Sequence, residues 1–431
     1  MFITFVTILS SHLIASLPFW LMLGSGKMPN IAHFAAISVI LYYDFGLLVD
    51  FLGFSEPGDY FTPFFSAKEH ILIQAFIFLV LAPWMFHLGS IITIKGKKQN
   101  SSEYLENLSG HKQKFFYLLA ITISLVMAIN GCIQIVKNPS VWSGRAAITE
   151  ALGPLIIVLY FPTYLLGFYI KTSDAKTKFG LVFSLVLVVA SILSTFMIGQ
   201  RNTILVPILI LVLFRGKLNS QKLLIFVSIA VVVSATLLPI FKWQYASKDS
   251  SIGELVIETI DSDFSRSGVL VTALESTEPL GTKILPYPMS GYFYGFLYYV
   301  PRSIVPFKGW STAQYFTSNI VRTPVEDTSW GFGVGAIEEL LLNIGSGLCI
   351  PGLIVYGMCM GALDKLSSRV PSLVVPTRLA GIWLCGYDLP SLLITFGTMA
   401  ILSYVFHHLF VQKLIYVSKI AEPSRPLFRK D

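Results

Sequence analysis

Residues 179–217 read FGLVFSLVLVVASILSTFMIGQRNTILVPILILVLFRGK. The 36 residues from Phe179 to Phe214 carry a single charge, on Arg201, and are otherwise almost entirely apolar. A membrane-spanning helix needs about 20 mostly apolar residues. The stretch therefore predicts two crossings joined by a very tight turn, with Arg201 held at or just below the outer lipid boundary.

The composition of the whole chain agrees with a membrane protein. The 431 residues are 54% hydrophobic and 13% charged, with a mean hydropathy of +0.70 and a formal net charge of +7. Ordinary globular chains are about 25% charged. This composition excludes a disordered chain, a collagen-like repeat, a disulfide scaffold and a nucleic-acid-binding domain.

Apolar runs predict an all-α polytopic membrane protein with about 11 transmembrane helices, in the range of about 10–12. The predicted spans are 3–24, 30–52, 70–94, 115–136, 150–170, 179–199, 200–214, 223–241, 343–363, 372–387 and 391–414. They define an N-terminal transmembrane region of about eight helices and a C-terminal one of about three. The four predicted regions are 1–241 (membrane), 242–330 (one large outer loop), 331–414 (membrane) and 415–431 (tail).

The distribution of basic residues predicts the orientation. One set of short loops, with the tail, holds 20 of the 31 Lys and Arg residues, whereas the alternate short loops hold four. Because cytoplasmic loops carry the excess of Lys and Arg, the N-terminus and the 242–330 loop are predicted outside and the C-terminus inside. The loop itself has seven basic and nine acidic residues, a near-neutral balance that favours catalysis or substrate binding over adhesion to a membrane surface.

Two arginines are candidate phosphate ligands. Arg201 at membrane depth is either a functional cation or one that snorkels to outer headgroups. Arg266 follows Asp263 by three residues, so on a helix the two would share a face. The pair is either a surface salt bridge or an Arg fork that a carboxylate holds ready for phosphate.

Two further segments carry candidate site residues. The segment 289–310 combines many Tyr and Phe residues with Arg302 and Lys308, which suits either a membrane interface or stacking against sugar rings. The segment 331–352 places Glu338, Glu339 and Asn343 before a span, with Glu339 and Asn343 one helical turn apart. A carboxylate there is either a general base or a cap of the helix N-terminus. Small-xxx-small spacing in GMCMGA, 357–362, indicates close helix packing.

Several common kinds of site have no sequence signature. None of the seven histidines lies in the 242–330 loop, and no metal-ligand spacing, phosphate-binding glycine loop, GxSxG or CxxC pattern occurs. The prediction is therefore an activity that uses neither a metal nor a cofactor.

Four segments together resemble the oligosaccharide repeat-unit polymerases, the O-antigen polymerases of the Wzy type. IGQRNTILVPILILVLF at 198–214 resembles the family's Gly-x-Arg segment, and DSDFSRSGVLVTALES follows at 261–276. FLYYVPRSIVPFKGWSTAQYF at 296–316 and AIEELLLNIGSGLCIPGLIVYG at 336–357 resemble the later motifs, with Glu338 in place of a Gly and Gly309 in place of a Pro.

The resemblance implies a GT-C-like glycosyltransferase of the bacterial inner membrane. It would transfer a growing glycan from undecaprenyl pyrophosphate to the next lipid-linked repeat, at the periplasmic face and without a metal. Arg201, Arg266 and Arg302 would bind the pyrophosphate and Glu339 would be the motif carboxylate. The candidate catalytic residues are thus Glu339, Arg201 and Arg266. The candidate substrate-binding residues are Arg302, Lys308, Asp263, Asn343 and Glu338, and the sequence leaves open whether Glu338 or Glu339 faces the site.

The implied partners are the lipid-linked oligosaccharide, membrane lipid and, from the same pathway, a chain-length regulator and a flippase. Three alternatives stay open. An O-antigen ligase is disfavoured because it is thought to need a histidine in its outer loop. Another GT-C glycosyltransferase would use acidic residues in its first outer loop, such as Glu56 and Asp59. A non-enzymatic flippase would be expected to show internal symmetry and more even loops.

Overall fold

The computed structural model describes residues 30–44, 64–94, 161–172, 178–197, 205–214, 266–298, 303–328, 332–370 and 373–406, together with a few isolated positions. These residues are predominantly helical and include no strand, which confirms the prediction of an all-α protein. The predicted span 223–241 lies outside the described residues, as do most of 3–24 and 115–136.

Thirteen α-helices are described in these ranges. Their bounds are α1 Ile31–Val39, α2 Glu69–Ile94, α3 Phe161–Thr172, α4 Lys178–Met197, α5 Leu205–Phe214, α6 Ser267–Thr277, α7 Ser290–Leu297, α8 Thr312–Val321, α9 Ala336–Ile344, α10 Ser346–Arg369, α11 Val374–Ile382, α12 Leu389–Leu392 and α13 Thr398–Phe406. One π-helical turn, Ile40–Asp44, extends α1, and another, Leu393–Gly397, joins α12 to α13.

Among the described helices, two are long and apolar enough to cross a membrane, at Glu69–Thr93 and Ser346–Arg369. The first matches the predicted span 70–94 closely. The second begins three residues later than predicted, because Gly345 adopts a positive φ of 80° and separates α9 from α10. Such a conformation is favourable for glycine and unfavourable for other residues. Asn343 therefore belongs to the short helix α9 and not to the long one.

Glycines allow α2 and α10 to touch backbone to backbone. A Cβ on Gly357 would lie 2.5 Å from the Phe86 carbonyl oxygen, and one on Gly361 would lie 2.7 Å from the Ser90 carbonyl oxygen. This contact confirms the packing role predicted for the GMCMGA stretch. Because contacts advance by four residues on both helices together, α2 and α10 run in the same direction.

Helix α1 runs the opposite way and defines two ends of the bundle. At its start, the Ile31 amide donates to the Asp364 carboxylate at 2.9 Å, and Asp364 lies 3.5 Å from the Arg378 guanidinium. After its last turn, Tyr43 reaches Glu338. We call these the Asp364 end and the Glu338 end. The ion pair between Asp364 and Arg378 is buried, and Arg378 falls within the predicted span 372–387.

The described part of the predicted outer loop covers the Glu338 end with three short helices, α6, α7 and α8. Helix α8 begins with a capping box, in which the Ser311 hydroxyl accepts from the Gln314 amide and the Gln314 side chain accepts from the Ser311 amide. Glu278, just after α6, contacts Lys68 and His70 at the start of α2. A small apolar cluster that includes Val269, Phe316 and Val334 fills the space beneath.

Candidate functional site

Helix α9 carries three polar side chains that the sequence singled out, and all three are buried. Glu338 and Glu339 are 0% exposed and Asn343 is 1% exposed. The helix begins after Gly335, whose amide donates to the Glu338 carboxylate at 3.0 Å. The helix-capping role considered for the motif carboxylate thus falls to Glu338 and not to Glu339. The Asn343 side chain donates to the Glu339 carbonyl oxygen at 2.8 Å, so the predicted one-turn relation is present.

The Glu339 carboxylate joins four segments of the chain. It accepts hydrogen bonds from the Leu389 amide at 2.8 Å, the Tyr356 hydroxyl at 3.3 Å and the Thr312 hydroxyl at 3.3 Å. The Thr312 oxygen also accepts from the Asn343 side chain at 3.2 Å, which leaves its proton for Glu339. We call Glu339, Asn343, Thr312 and Tyr356 the Glu339 network.

A third buried carboxylate lies beside this network. Asp388 is 1% exposed and caps α12 by accepting from the Ser391 amide at 3.1 Å. Burial, followed by repulsion from Asp388, raises the pKa of Glu339 well above its ordinary value. Burial likewise raises the pKa of Asp388. Glu339 is therefore a buried junction whose hydrogen bonds join several segments of the chain.

Glu338 faces a different set of residues. Its carboxylate accepts a short hydrogen bond of 2.6 Å from the Tyr43 hydroxyl. The neighbouring Tyr42 carbonyl accepts from the Arg266 amide at 2.8 Å, and the Arg266 guanidinium lies 6.0 Å from the Tyr42 ring centroid. We call Arg266, Tyr42, Tyr43 and Glu338 the Arg266 group.

Arg266 is 7% exposed, and its Nε–H has no hydrogen-bond partner among the described residues. Its guanidinium packs against Gly333, where an added Cβ would lie 2.2 Å from a guanidinium nitrogen and 2.7 Å from the Gly386 carbonyl oxygen. Arg266 precedes α6 as its N-cap, so it lies before that helix and not on its face. Asp263, the partner expected from the sequence, lies outside the described residues.

The Arg266 group sets the acidity of Glu338. Burial raises the pKa of Glu338 to about 7, and the Tyr43 hydrogen bond and the Arg266 charge keep it from rising further. About half of the Glu338 carboxylates are then ionised at neutral pH, the range in which a general base is most effective. The structure thus distinguishes the two adjacent carboxylates by their surroundings.

Lys308 contacts the end of α7 and the residues that follow it. Its ammonium donates to the Tyr298 carbonyl at 2.5 Å and the Val300 carbonyl at 3.0 Å. It also lies 5.2 Å from the Tyr294 ring centroid. Lys308 therefore ties the turn after α7 back onto that helix. Arg201 and Arg302, the other predicted phosphate ligands, lie outside the described residues.

Several residues in and beside these two groups were not predicted from the sequence. Tyr43 and Tyr356 sit inside apolar runs and gave no signal of a polar role. Thr312 and Asp388 could have been noticed, because Ser-x-x-Gln at 311–314 and Asp-Leu-Pro at 388–390 are both helix-start patterns. Gly333, in the stretch GFGVG at 331–335, marks the close approach to Arg266.

The described residues contain no group of three or more His, Cys, Asp or Glu side chains arranged to hold a metal ion. Comparison with known proteins gave no match to a protein family, to a curated protein or to a solved structure.

Proposed function

We propose that the chain is a glycosyltransferase that polymerises lipid-linked oligosaccharide repeat units, as in the synthesis of O-antigen or a related surface polysaccharide. The growing glycan would move from undecaprenyl pyrophosphate to the next lipid-linked repeat at the outer face of the inner membrane. The proposal rests on the motif resemblance and on the Arg266 group. The observation that carries it is the buried Arg266 guanidinium, which lies beside an ionisable carboxylate and whose Nε–H has no hydrogen-bond partner among the described residues.

The chemistry requires one bond exchange. The bond between the sugar C1 and the pyrophosphate oxygen breaks, and a bond forms between C1 and a hydroxyl oxygen of the acceptor repeat. The hydroxyl proton passes to a base, and undecaprenyl pyrophosphate leaves with the bonding electron pair. An Arg donor aimed at the leaving oxygens stabilises the developing charge, and removing one such donor typically costs about 2.7–4 kcal/mol.

The two carboxylates of α9 take different roles in this proposal. Glu338 is the base, because its pKa of about 7 lets it both exist as a carboxylate and accept a proton near neutral pH. This assignment revises the expectation that Glu339 is the base. Glu339 instead positions α8, α10 and α12 around the site through its three hydrogen bonds. Arg201 and Arg302 remain proposed partners of Arg266 on the pyrophosphate.

The membrane setting is part of the proposal: about 11 crossings in a GT-C-like arrangement, with the N-terminus periplasmic and the C-terminus cytoplasmic. The described helices support it by exposing large apolar side chains while burying the charged pair Asp364 and Arg378. Ile73 on α2, Val189 on α4 and Val355 on α10 are each more than half exposed. Charged residues within membranes face the bundle interior in this way. Helix α1 runs opposite to α2 and α10. The proposed topology requires the same of span 30–52 relative to spans 70–94 and 343–363.

The surface glycan of a strain that lacks the chain provides the test. A lipopolysaccharide core with one repeat unit attached supports the polymerase, whereas a bare core indicates a ligase or a flippase and contradicts the proposal. Expression of the Arg266→Ala variant in that strain should leave the glycan at one repeat. The Arg266→Lys variant should restore long chains only in part, because an ammonium lacks the planar fork. Arg322→Ala, which changes an exposed arginine of the same loop, is the matched control and should restore long chains.

A further inference from the structure

Helix α7 presents an apolar ridge on one side. Met289, Phe293 and Phe296 follow one another at helical spacing and are 41%, 56% and 76% exposed. Ile304 and Phe307, in the turn that Lys308 ties onto α7, are 69% and 82% exposed. We call these five side chains the α7 ridge. Exposed aromatic side chains at this density mark a surface that contacts something other than water.

The opposite side of α7 is fixed to the candidate site. The Met289 amide donates to the Asn343 carbonyl at 3.1 Å, and the Gly291 amide donates to the Asn343 side-chain oxygen at 3.1 Å. A Cβ on Gly295 would lie 3.4 Å from the ring of Pro390. Since Asn343 belongs to the Glu339 network, these hydrogen bonds join the ridge directly to that network. Whatever holds the ridge therefore also sets the position of the network.

The charge of the sequence segment that carries the ridge indicates what holds it. Residues 279–325 contain four basic residues and no acidic one, and 11 of these residues are Phe, Tyr or Trp. The nine acidic residues of the 242–330 loop all lie on either side of this segment. Aromatic rings with cationic neighbours and no carboxylate suit an anionic bilayer surface, where rings sit at headgroup depth. The near-neutral average of the loop conceals this segregation.

The ridge also continues a surface that already fits lipid. Leu348 in the first turn of α10, five residues after Asn343, is 58% exposed. That turn belongs to one of the two helices long enough to cross a membrane. The exposed apolar surface of the bundle and the ridge thus meet near the Glu338 end.

We propose that the α7 ridge inserts into the outer leaflet of an anionic bilayer and holds the Glu339 network at headgroup depth. The proposal rests on the membrane orientation proposed above and adds a lipid-binding surface to it. At that depth the network lies level with the pyrophosphate of a lipid-linked substrate, so the substrate need not leave the bilayer to react.

Fluorescence quenching tests the insertion without requiring turnover. The full chain, with its four native cysteines replaced, carries an environment-sensitive fluorophore on Phe296→Cys and is placed in nanodiscs of phosphatidylcholine and phosphatidylglycerol. Nitroxide-labelled lipid should quench this position several-fold more than aqueous iodide does. Phe307→Cys should behave in the same way and guards against misfolding of a single variant. Leu280→Cys, on a fully exposed apolar side chain of the same loop, is the matched control and should be quenched by iodide.

Two outcomes contradict the insertion. If iodide quenches positions 296 and 280 equally, the ridge lies in water. If position 296 is shielded from both iodide and nitroxide lipid, another protein surface, such as a second copy of the chain, covers the ridge. A chain that inserts but does not polymerise repeats would refute the proposed function alone. A chain that polymerises with its ridge in water would refute the insertion alone.

Discussion

The ionisation of Glu338 offers the most specific prediction of activity. With a pKa of about 7, roughly nine in ten Glu338 carboxylates are ionised at pH 8 and roughly one in ten at pH 6. If the ionised form is the base, the initial rate of polymerisation should fall about tenfold between pH 8 and pH 6. The sign follows from the direction of the titration, because lowering the pH protonates the base.

Two variants test whether the pH dependence of the rate comes from the ionisation of Glu338. Glu338→Gln keeps the size of the side chain but cannot accept a proton, so the rate should fall by about 10²–10⁴-fold and lose its pH dependence in this range. Tyr43→Phe removes the 2.6 Å hydrogen bond that favours the ionised carboxylate, so the midpoint of the pH profile should move to higher pH. Glu326→Gln, at an exposed carboxylate of the same loop, should change neither quantity.

The assay is the initial rate at which purified chain in nanodiscs extends lipid-linked repeats, resolved on a gel at saturating substrate across pH 6–8. Equal rates at pH 6 and pH 8 would refute the assignment, as would near-normal activity of Glu338→Gln. A Glu339→Gln variant that is folded, binds substrate and is slowed by about two or more decades, while Glu338→Gln stays active, would return the base role to Glu339.

Three further predictions concern stability, measured as thermal unfolding in detergent. Thr312→Val should cost about 1–3 kcal/mol, because the buried Glu339 and Asn343 side chains each lose one hydrogen-bond partner; an unchanged midpoint would contradict the network. Gly357→Val should cost about 1–3 kcal/mol by forcing α2 and α10 apart, whereas Gly347→Ala, with open space around it on the same helix, should cost nothing. Arg378→Met should cost about 3–5 kcal/mol by stranding Asp364, and adding Asp364→Leu should recover most of that loss; a double variant as unstable as the single one would argue against the pair.

Local patterns predicted the parts of the fold that local physics controls. The apolar run at 70–94 and the helix Glu69–Ile94 nearly coincide, because length and composition determine such a helix. The spacing of Gly357 and Gly361 predicted a close helix contact, since only a missing Cβ permits one. The relation of Glu339 to Asn343 followed from helix periodicity alone.

The site depends on contacts between distant parts of the chain, which no local pattern encodes. Tyr43 and Glu338 are 295 residues apart, and Ile31 and Asp364 are 333 residues apart. Hydropathy includes Arg378 in the predicted span 372–387, but it carries no information on the carboxylate, Asp364, against which Arg378 is buried. Glu338 and Glu339 have different surroundings because α1, α6 and α12 meet α9 from different sides, which the sequence around 338–339 does not reveal.

The most direct measurement supplies purified chain in nanodiscs with undecaprenyl-pyrophosphate-linked repeats and nothing else. We expect a ladder of lipid-linked oligomers, with one undecaprenyl pyrophosphate released for each new linkage, and neither product from Arg266→Ala. If the chain is folded and binds substrate but the repeats stay single, the proposed polymerase activity is contradicted. A normal ladder from Arg266→Ala would contradict the proposed role of Arg266 in the mechanism.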